Sequence, residues 1–326
     1  MEAIKILSCG GYLPNKTLTN KELEVLLDTT DNWISQMTGI KERHILDDNE
    51  NFIDCSCQAA LTAINRGGIS NQQIDLIIIA TTTPYQLMPS SAAMVQRKLG
   101  IDNAIAFDMQ AACSGFVYAL SSAYYFMQAN PDINYALVLG CDVFSKIIDK
   151  TDRATAILFG DGFGAFLLSR SPLDDGRGIF YCKLGSDGAG VEELQIPWGV
   201  GQGMQGMAKN KPYLQMNGKQ VFKQAVERFS NEIQQALEFN KLTTTDIKYF
   251  IPHQANIRIL KAIAHNLDIP MEKILISLDK HGNTSAASIP LAFNAAFQEG
   301  KIKKGDLILL SGFGAGYTWG TVLLEF

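Results

Sequence analysis

A chain of 326 residues, 47% of them hydrophobic and 19% charged, is long enough to bury a large core in one or two domains. Its net charge of -5 gives no overall attraction to nucleic acid or an anionic membrane, and no run of about 18 apolar residues predicts a membrane span. We therefore expect neither partner. The six cysteines are scattered, unlike those of a small secreted scaffold, so we expect free thiols and a cytoplasmic location.

Short apolar runs alternate with longer stretches of helical spacing. Met1–Leu7 predicts a first strand rather than a signal peptide, and Asn217–Leu237 predicts an amphipathic helix. The other runs are continuously apolar, as expected of strands covered by helices on both faces, so the sequence predicts an α/β fold. These runs are Asp75–Thr83, Ala104–Met109, Tyr135–Asp142, Gly164–Ser169, Ile247–Pro252, Lys273–Leu278, Asp306–Ser311 and Gly320–Phe326.

The order of these runs suggests an internal duplication. The three runs between Asp75 and Asp142 recur in the same order between Ile247 and Ser311, about 170 residues later, and a glycine-led strand closes each half. We expect two similar halves, residues 1–172 and 173–326, that meet at the turn-forming segment Ser171–Gly178. An α/β chain without a duplication can also give such a pattern.

Cys113 is the candidate nucleophile. It follows the predicted strand Ala104–Met109 and opens an apolar helix, where unpaired N–H groups favour the thiolate. In the second half, Asn283 follows the predicted strand Lys273–Leu278 and also precedes a helix-like stretch. We therefore expect Cys113 and Asn283 to occupy corresponding places and to converge on one central site. Taken alone, Cys113 also fits a packed core thiol.

Two further features lie at strand ends. His253 follows the apolar run Ile247–Pro252, a position typical of active sites in α/β proteins, although a histidine there can also be purely structural. The glycine-rich segment Ser311–Tyr317 joins two predicted strands, so it fits a tight hairpin whose N–H groups approach a substrate carbonyl. No metal-ligand cluster or phosphate loop is predicted. Together these residues predict a cysteine nucleophile with His and Asn partners, but no particular reaction.

Several motifs occur in order along nearly the whole chain: Asp31–His44, Ala111–Phe116, Thr151–Arg153, Phe159–Gly164, Pro252–Asn256, His281–Pro290 and Gly314–Gly320. With this set the sequence resembles the β-ketoacyl-acyl-carrier-protein synthase III family, the initiating condensing enzymes of bacterial type II fatty-acid synthesis. The resemblance implies the thiolase fold, with two duplicated halves in a layered α-β-α-β-α core, and a homodimer. It also implies an acyltransferase that condenses an acyl-CoA primer, expected to be acetyl-CoA, with malonyl-acyl carrier protein. No cofactor beyond these substrates is expected.

The resemblance also assigns roles to single residues. Cys113, His253 and Asn283 match the catalytic triad, and the N–H groups of Cys113 and Ala315 match the oxyanion hole. Positions matching the coenzyme A and pantetheine tunnel are Trp33, Arg153, Phe222, Ala255 and Asn256. Positions matching the acyl pocket are Met88 and Phe313, and those expected to dock the carrier protein are Lys223, Arg258 and Lys261.

The sequence departs from the family pattern at three places. Met37 replaces an arginine that flanks the adenine of CoA, and His265–Asn266 replaces a lysine pair at the docking site. Met88 replaces a phenylalanine that narrows the acyl pocket across the dimer, so the hypothesis is that this pocket admits a longer or branched primer.

The same residues suggest three alternatives. A related condensing enzyme with a different primer, acting in a secondary-metabolite or cofactor pathway, stays open. A degradative thiolase is disfavoured because the C-terminal glycine run lacks a cysteine. A catalytically silent subunit is disfavoured because Cys113, His253 and Asn283 occur together.

Overall fold

The computed structural model describes residues 2–173, 176–203, 205, 206 and 212–326. The strands are β1 (Glu2–Tyr12), β2 (Lys16–Thr19), β3 (Glu42–Ile45), β4 (Leu76–Ala80), β5 (Ile105–Met109), β6 (Tyr135–Val143), β7 (Asp161–Pro172), β8 (Ile179–Ser186), β9 (Leu194–Gln195), β10 (Gln215–Met216), β11 (Tyr249–Pro252), β12 (Leu307–Gly314) and β13 (Thr318–Glu325). The α-helices are α1 (Asn20–Leu26), α2 (Asp31–Thr38), α3 (Phe52–Gly67), α4 (Ser91–Leu99), α5 (Gly115–Ala129), α6 (Arg153–Ala156), α7 (Gly218–Phe239), α8 (Ile257–Asn266), α9 (Leu278–His281) and α10 (Ser288–Gln298).

Two mixed sheets form the framework. The first has the order β1-β7-β6-β4-β5, with β4 parallel to both β5 and β6 and with β7 antiparallel to its neighbours. The second has the order β11-β12-β13-β8, with only the β11–β12 pair parallel. The first sheet is drawn from residues 2–172 and the second from residues 179–325.

Helices cover both faces of each sheet. Helices α5 and α10 lie between the two sheets and contact both, while α3 and α4 cover the outer face of the first sheet and α7 and α8 that of the second. Strand β4 is apolar throughout because both of its faces are covered. Ile77 and Ile79 pack into the outer layer, and Leu76 and Ile78 pack into the central layer. The layered α-β-α-β-α architecture expected from the resemblance is confirmed.

Aromatic side chains fill the central layer. The Phe166 ring of β7 packs edge-on against Phe116 of α5, with ring centroids 5.0 Å apart, and against Phe293 of α10 at 4.8 Å. Edge-to-face pairs of this kind add about 1 kcal/mol beyond the burial of their area. The two central helices, which carry the chemically important turns, are therefore held against one strand of the first sheet.

One predicted strand is wrong. Lys273–Leu278 forms a single parallel bridge, between Ile274 and Phe250, and Leu278 already begins α9. The buried Gln254 side chain explains the interruption, because its amide donates to the Leu275 carbonyl at 3.2 Å and accepts from the Ser277 N–H at 3.1 Å. These are backbone groups that a neighbouring strand would otherwise bind.

The remaining predicted runs coincide with strands, and the predicted helix Asn217–Leu237 coincides with α7. The boundary between residues 172 and 173 stays a prediction, and within Ser171–Gly178 the residues Asp174 and Asp175 lie outside the described part of the chain, as does Met1. Among the helices of the described residues, none combines the length and the apolar character that crossing a membrane requires.

Candidate active site

Cys113 lies in a 3-10 turn, Ala112–Ser114, that leads directly into α5. The backbone of β12 approaches this turn so closely that a Cβ on Gly314 would come within 2.7 Å of the Cys113 nitrogen, which explains the glycine. The side chain of Cys113 is buried, and Ser285 Oγ donates to its sulfur at 3.5 Å. Burial raises the pKa of the Cys113 thiol to about 12, and the Ser285 hydrogen bond opposes that rise. A hydroxyl therefore contacts the candidate nucleophile directly.

His253 immediately follows β11, and its backbone N–H donates to the Ser311 carbonyl of β12 at 2.8 Å. The ring is buried, and Nδ1 lies 2.6 Å from Ser288 Oγ. Burial lowers the pKa of His253 to about 3, because the charged imidazolium would lose its hydration. The imidazole is accordingly neutral near pH 7 and can act as an uncharged hydrogen-bond donor.

Asn283 is fixed through both its backbone and its side chain. Its N–H donates to the Leu158 carbonyl at 2.9 Å, and its carbonyl accepts from the Gly160 N–H at 3.0 Å. The side-chain oxygen Oδ1 accepts from the Ser285 N–H at 2.9 Å. Because the amide oxygen is bound in this way, the Nδ2 group is the part of the amide that can donate to a ligand.

The turns that carry Cys113 and follow Asn283 correspond with an offset that the sequence interpretation missed. Ala112 and Ser285 both have positive φ angles, of 46° and 50°, and each begins a 3-10 turn that runs into a central helix. In this correspondence Cys113 matches Ala286, and Asn283 lies three residues earlier. The expected one-to-one match of Cys113 with Asn283 is therefore wrong, because it depended on the strand assigned to Lys273–Leu278.

A buried carboxylate ties the turn that follows Asn283 to the first half of the chain. Asp142, at the end of β6, accepts from the Ala286 N–H at 3.1 Å and from the Thr82 and Thr83 N–H groups at 2.8 and 3.2 Å. Burial raises the pKa of Asp142, and hydrogen bonds from the Thr82 and Ala286 N–H groups and from the Ser285 and Thr83 side chains oppose the rise. Ala286 belongs to the second half of the chain and Asp142 to the first. The Asp142 side chain therefore fixes the turn that follows Asn283 to the first sheet.

Two cavities meet at Cys113. The first, of about 400 Å³, is lined by Cys113, His253 and Asn283 together. Several residues predicted to bind substrate also line it, namely Phe222, Ala255, Asn256, Arg258 and Phe313. The second, of about 470 Å³, is lined by Cys113, Ala315 and mainly apolar side chains that include Phe144, Phe159 and Leu214. The structure thus brings the predicted triad to one cavity and opens a second beside its sulfur.

Not every predicted acyl-pocket residue lies at these cavities. Phe313 lines the first cavity, with His253 and Asn283, rather than the second. Met88 is 81% exposed in the single chain and lies outside both linings. The prediction places Met88 at the pocket of a second subunit, so its role stays a prediction.

Two cation–aromatic pairs lie among the predicted substrate residues. The Arg153 guanidinium lies 5.0 Å from the Trp33 ring centroid, and Arg153 Nη1 donates to the Asp28 carbonyl at 2.8 Å. The Arg258 guanidinium lies 5.5 Å from the Phe222 ring centroid at the first cavity. Such pairs hold cations beside flat apolar surfaces, which suits a ligand with both phosphate and ring systems.

The predicted docking residues Lys223, Arg258 and Lys261 are all exposed, as a docking surface requires. Among the residues that depart from the family pattern, Met37 is partly buried, whereas His265 and Asn266 are exposed. Sequence reasoning missed Lys219, which lines the first cavity, and the hydroxyls of Ser285 and Ser288. The available signal was the motif His281–Pro290, in which these serines stand three residues apart at the start of a helix. In the described part of the chain, no group of three or more His, Cys, Asp or Glu side chains could hold a metal ion.

A buried cysteine, a neutral histidine and an oriented amide lie at one cavity of the layered fold, which is the arrangement that the resemblance to thiolase-fold condensing enzymes implies. Comparisons with known proteins identify its family. Models described as 3-oxoacyl-[acyl-carrier-protein] synthase III and the C-terminal part of that enzyme match residues 107–188 and 237–326. The β-ketoacyl-[acyl-carrier-protein] synthase III of Wolbachia pipientis wMel is 49% identical over 322 residues, 98% of each chain. The chain belongs to the β-ketoacyl-acyl-carrier-protein synthase III family and is an acyl-transferring condensing enzyme of fatty-acid synthesis.

Solved structures agree. The 3-oxoacyl-[acyl-carrier-protein] synthase III of Aquifex aeolicus VF5 matches with a TM-score of 0.92 and 41% identity, over 99% of this chain and 100% of that one. The priming β-ketosynthase of the R1128 polyketide pathway matches with a TM-score of 0.93 and 33% identity, over 99% and 96% of the two chains. The fold is thus shared with enzymes of fatty-acid synthesis and of polyketide synthesis.

Proposed function

We propose that this enzyme condenses an acyl-CoA primer with malonyl-acyl carrier protein, giving a 3-oxoacyl-acyl carrier protein, CoA and carbon dioxide. The observation that carries the proposal is that Cys113, His253 and Asn283 line one cavity, with a second, mainly apolar cavity beside the sulfur. Each half-reaction of a condensation then has its own group, a nucleophile for acyl transfer and neutral donors for the carbanion. The reaction needs no cofactor beyond these substrates.

In the first half-reaction Cys113 attacks the thioester carbonyl of the primer. A bond forms between Cys113 Sγ and the acyl carbon, the bond to the CoA sulfur breaks, and the thiol proton leaves with CoA. The Ser285 hydroxyl, which donates to the sulfur at 3.5 Å, stabilises the thiolate that burial disfavours. The N–H groups of Cys113 and Ala315 are proposed to bind the oxyanion of the tetrahedral intermediate.

In the second half-reaction the malonyl group loses carbon dioxide, and the electron pair moves onto the thioester oxygen. His253 and the Asn283 amide donate hydrogen bonds to this enolate. Burial keeps the pKa of His253 at about 3, so the ring donates without being an acid that would quench the carbanion. The carbanion then attacks the acyl carbon on Cys113, the carbon–carbon bond forms, and the sulfur leaves as thiolate.

Substrate delivery uses the exposed mouth of the first cavity. We assign CoA and the pantetheine arm to this cavity because Phe222, Ala255 and Asn256 line it, with Arg258 stacked on Phe222. Trp33 and Arg153 form the second stacked pair, suited to the adenine and phosphates of CoA. The exposed cations Lys223, Arg258 and Lys261 would receive the acidic carrier protein.

The primer and the assembly are part of the same proposal. Acetyl-CoA is the expected primer, and a longer or different primer is the second candidate, which the second cavity of about 470 Å³ favours. We also propose a homodimer, because Tyr85, Leu87 and Met88 expose three large apolar side chains on one loop. A cytoplasmic location fits the six unpaired cysteines.

Intact-protein mass spectrometry tests the function directly. The enzyme is incubated with acyl-CoAs of increasing chain length, and the mass of each adduct is measured before and after malonyl-acyl carrier protein is added. We expect one acyl group per chain, absent from Cys113→Ala, retained in Cys182→Ala, and discharged as 3-oxoacyl-carrier protein. Failure of every primer to add its acyl mass at Cys113 would overturn the proposal and favour a silent acyl-binding subunit.

A further inference from the structure

The turn that follows Asn283 supplies two buried hydroxyls, and each contacts a different member of the triad. Ser285 Oγ lies 3.5 Å from Cys113 Sγ, and Ser288 Oγ lies 2.6 Å from His253 Nδ1. All four side chains are buried. A neutral imidazole carries its single N–H on either Nδ1 or Nε2. The contact with Ser288 therefore bears on which nitrogen of His253 can donate to a substrate.

The surroundings of Ser288 decide where that proton is. The backbone N–H of Gln254 points at Ser288 Oγ, 3.3 Å away, and an N–H can only donate. Over the described residues, Ser288 Oγ has hydrogen-bond partners only in this N–H and in His253 Nδ1. The hydroxyl hydrogen therefore has one acceptor, His253 Nδ1, which must be unprotonated to receive it.

The opposite arrangement leaves a group unsatisfied. If Nδ1 carried the proton and donated to Ser288 Oγ, the hydroxyl hydrogen would have no acceptor in a site where Ser288 is 1% exposed. Buried polar hydrogens without partners are rare in folded proteins because they forfeit their hydration. Hydrogen-bond satisfaction thus favours a directed chain from Gln254 N–H to Ser288 Oγ–H to His253 Nδ1.

We propose that Ser288 is a positioning residue that holds His253 in the tautomer with its proton on Nε2, so that the ring presents an N–H to the cavity. This inference rests on the proposed function, in which His253 donates to the enolate. It assigns Ser288 to decarboxylation alone, whereas Ser285, three residues earlier, serves the sulfur. One turn would then serve the two half-reactions through two serines.

The tautomer can be measured in the intact enzyme. The chain has four histidines, so ¹⁵N labelling of their rings gives few signals, and His253→Gln identifies those of His253. We expect a pyridine-like Nδ1 and a pyrrole-like Nε2 in the wild type, and a mixture of tautomers in Ser288→Ala. Ser288→Thr, which restores a hydroxyl, should return the wild-type pattern. A pyrrole-like Nδ1 in the wild type would overturn the proposal.

Kinetics supply the second test. Ser288→Ala should slow malonyl decarboxylation severalfold, because only the molecules that keep the proton on His253 Nε2 can donate to the enolate, and it should leave the rate of Cys113 acylation unchanged. Ser288→Thr should recover most of the decarboxylation rate. Ser56→Ala, which removes an equally buried hydroxyl from α3, is the matched control and should change neither rate.

The outcomes separate the two proposals. Equal losses of decarboxylation and acylation in Ser288→Ala would show that the serine is merely structural and would overturn the inference. A wild-type enzyme that acylates Cys113 and condenses, but carries its His253 proton on Nδ1, keeps the proposed function and loses only the inference. A wild-type enzyme that never acylates Cys113 loses the proposed function, whatever its tautomer.

Discussion

Acid should destabilise this enzyme through His253 in particular. Burial lowers the pKa of the folded His253 from 6.5 to about 3, whereas the unfolded chain exposes the ring to water. Between these two values the unfolded state binds a proton that the folded state does not. The contribution is therefore fully present above pH 6.5 and is lost progressively as the pH falls toward the folded pKa.

The size of the effect follows from the same values. Each pH unit in this window costs about 1.4 kcal/mol of unfolding free energy for one proton. Lowering the pH from about 7.5 to about 4.5 crosses about two such units, so His253 alone should cost about 2.5 kcal/mol. That is a substantial part of the roughly 5–15 kcal/mol by which domains are stable.

Urea unfolding at the two pH values measures this cost. For the wild type, His253→Asn and His265→Asn, the loss of unfolding free energy between the two pH values is measured within each protein. Losses caused by other titrating groups are common to the three proteins and cancel when these losses are compared. His253→Asn should lose about 2.5 kcal/mol less than the wild type between the two pH values. His265→Asn, which replaces an exposed histidine, should lose as much as the wild type. If His253→Asn is as acid-sensitive as the wild type, burial does not hold His253 neutral and the enolate argument fails with it.

Other substitutions separate the half-reactions. Cys113→Ala should abolish acyl transfer, seen as missing acyl mass, but retain malonyl decarboxylation, seen as release of carbon dioxide. Asn283→Ala should slow decarboxylation by about 100-fold and leave acylation of Cys113 largely intact, and the reverse pattern would show that its role is misassigned. Ser285→Ala should slow alkylation of Cys113 by iodoacetamide by about tenfold, the worth of one hydrogen bond to a charged sulfur, and an unchanged rate would contradict that contact. If Met88 lines the acyl pocket as the resemblance implies, acyl-CoAs longer than acetyl-CoA should load Cys113, and loading by acetyl-CoA alone would contradict this.

The strands were predictable where burial is two-sided. Leu76–Ala80 is apolar at every position because alternate residues face two different helical layers, and the sequence records that directly. Lys273–Leu278 has a similar composition but does not form a strand. The difference lies in Gln254, a residue about 20 positions away, because its side-chain amide binds the Leu275 carbonyl and the Ser277 N–H, which a neighbouring strand would otherwise bind. No local sequence pattern contains that information.

The candidate site was predictable to the level of residue type and order. Cys113, His253 and Asn283 stand at element boundaries, where chain direction changes and side chains can face a cavity, and the motifs around them are specific. The contacts that tune them were not predictable. Whether the Ser288 hydroxyl meets His253 depends on how α10 packs beside β11, and Ser288 lies 35 residues from its partner. Sequence spacing could show only that the serines occur at the start of a helix.

The three-residue offset between Cys113 and Asn283 explains how duplicated halves divide one reaction. Both halves place a residue with positive φ, Ala112 or Ser285, before a short turn and a central helix. In the first half the turn itself carries the sulfur, so the nucleophile stands at the helix N-terminus, where unpaired N–H groups favour a thiolate. In the second half the residue matching Cys113 is Ala286, whose N–H binds Asp142, so that position clamps the halves together instead of carrying chemistry. The amide donor therefore comes from Asn283, two residues before the turn, and the hydroxyls of Ser285 and Ser288 contact the sulfur and the imidazole. The Asn283 oxygen accepts from the Ser285 N–H at the start of this turn, so Nδ2 is the part of the amide left to donate to the proposed enolate.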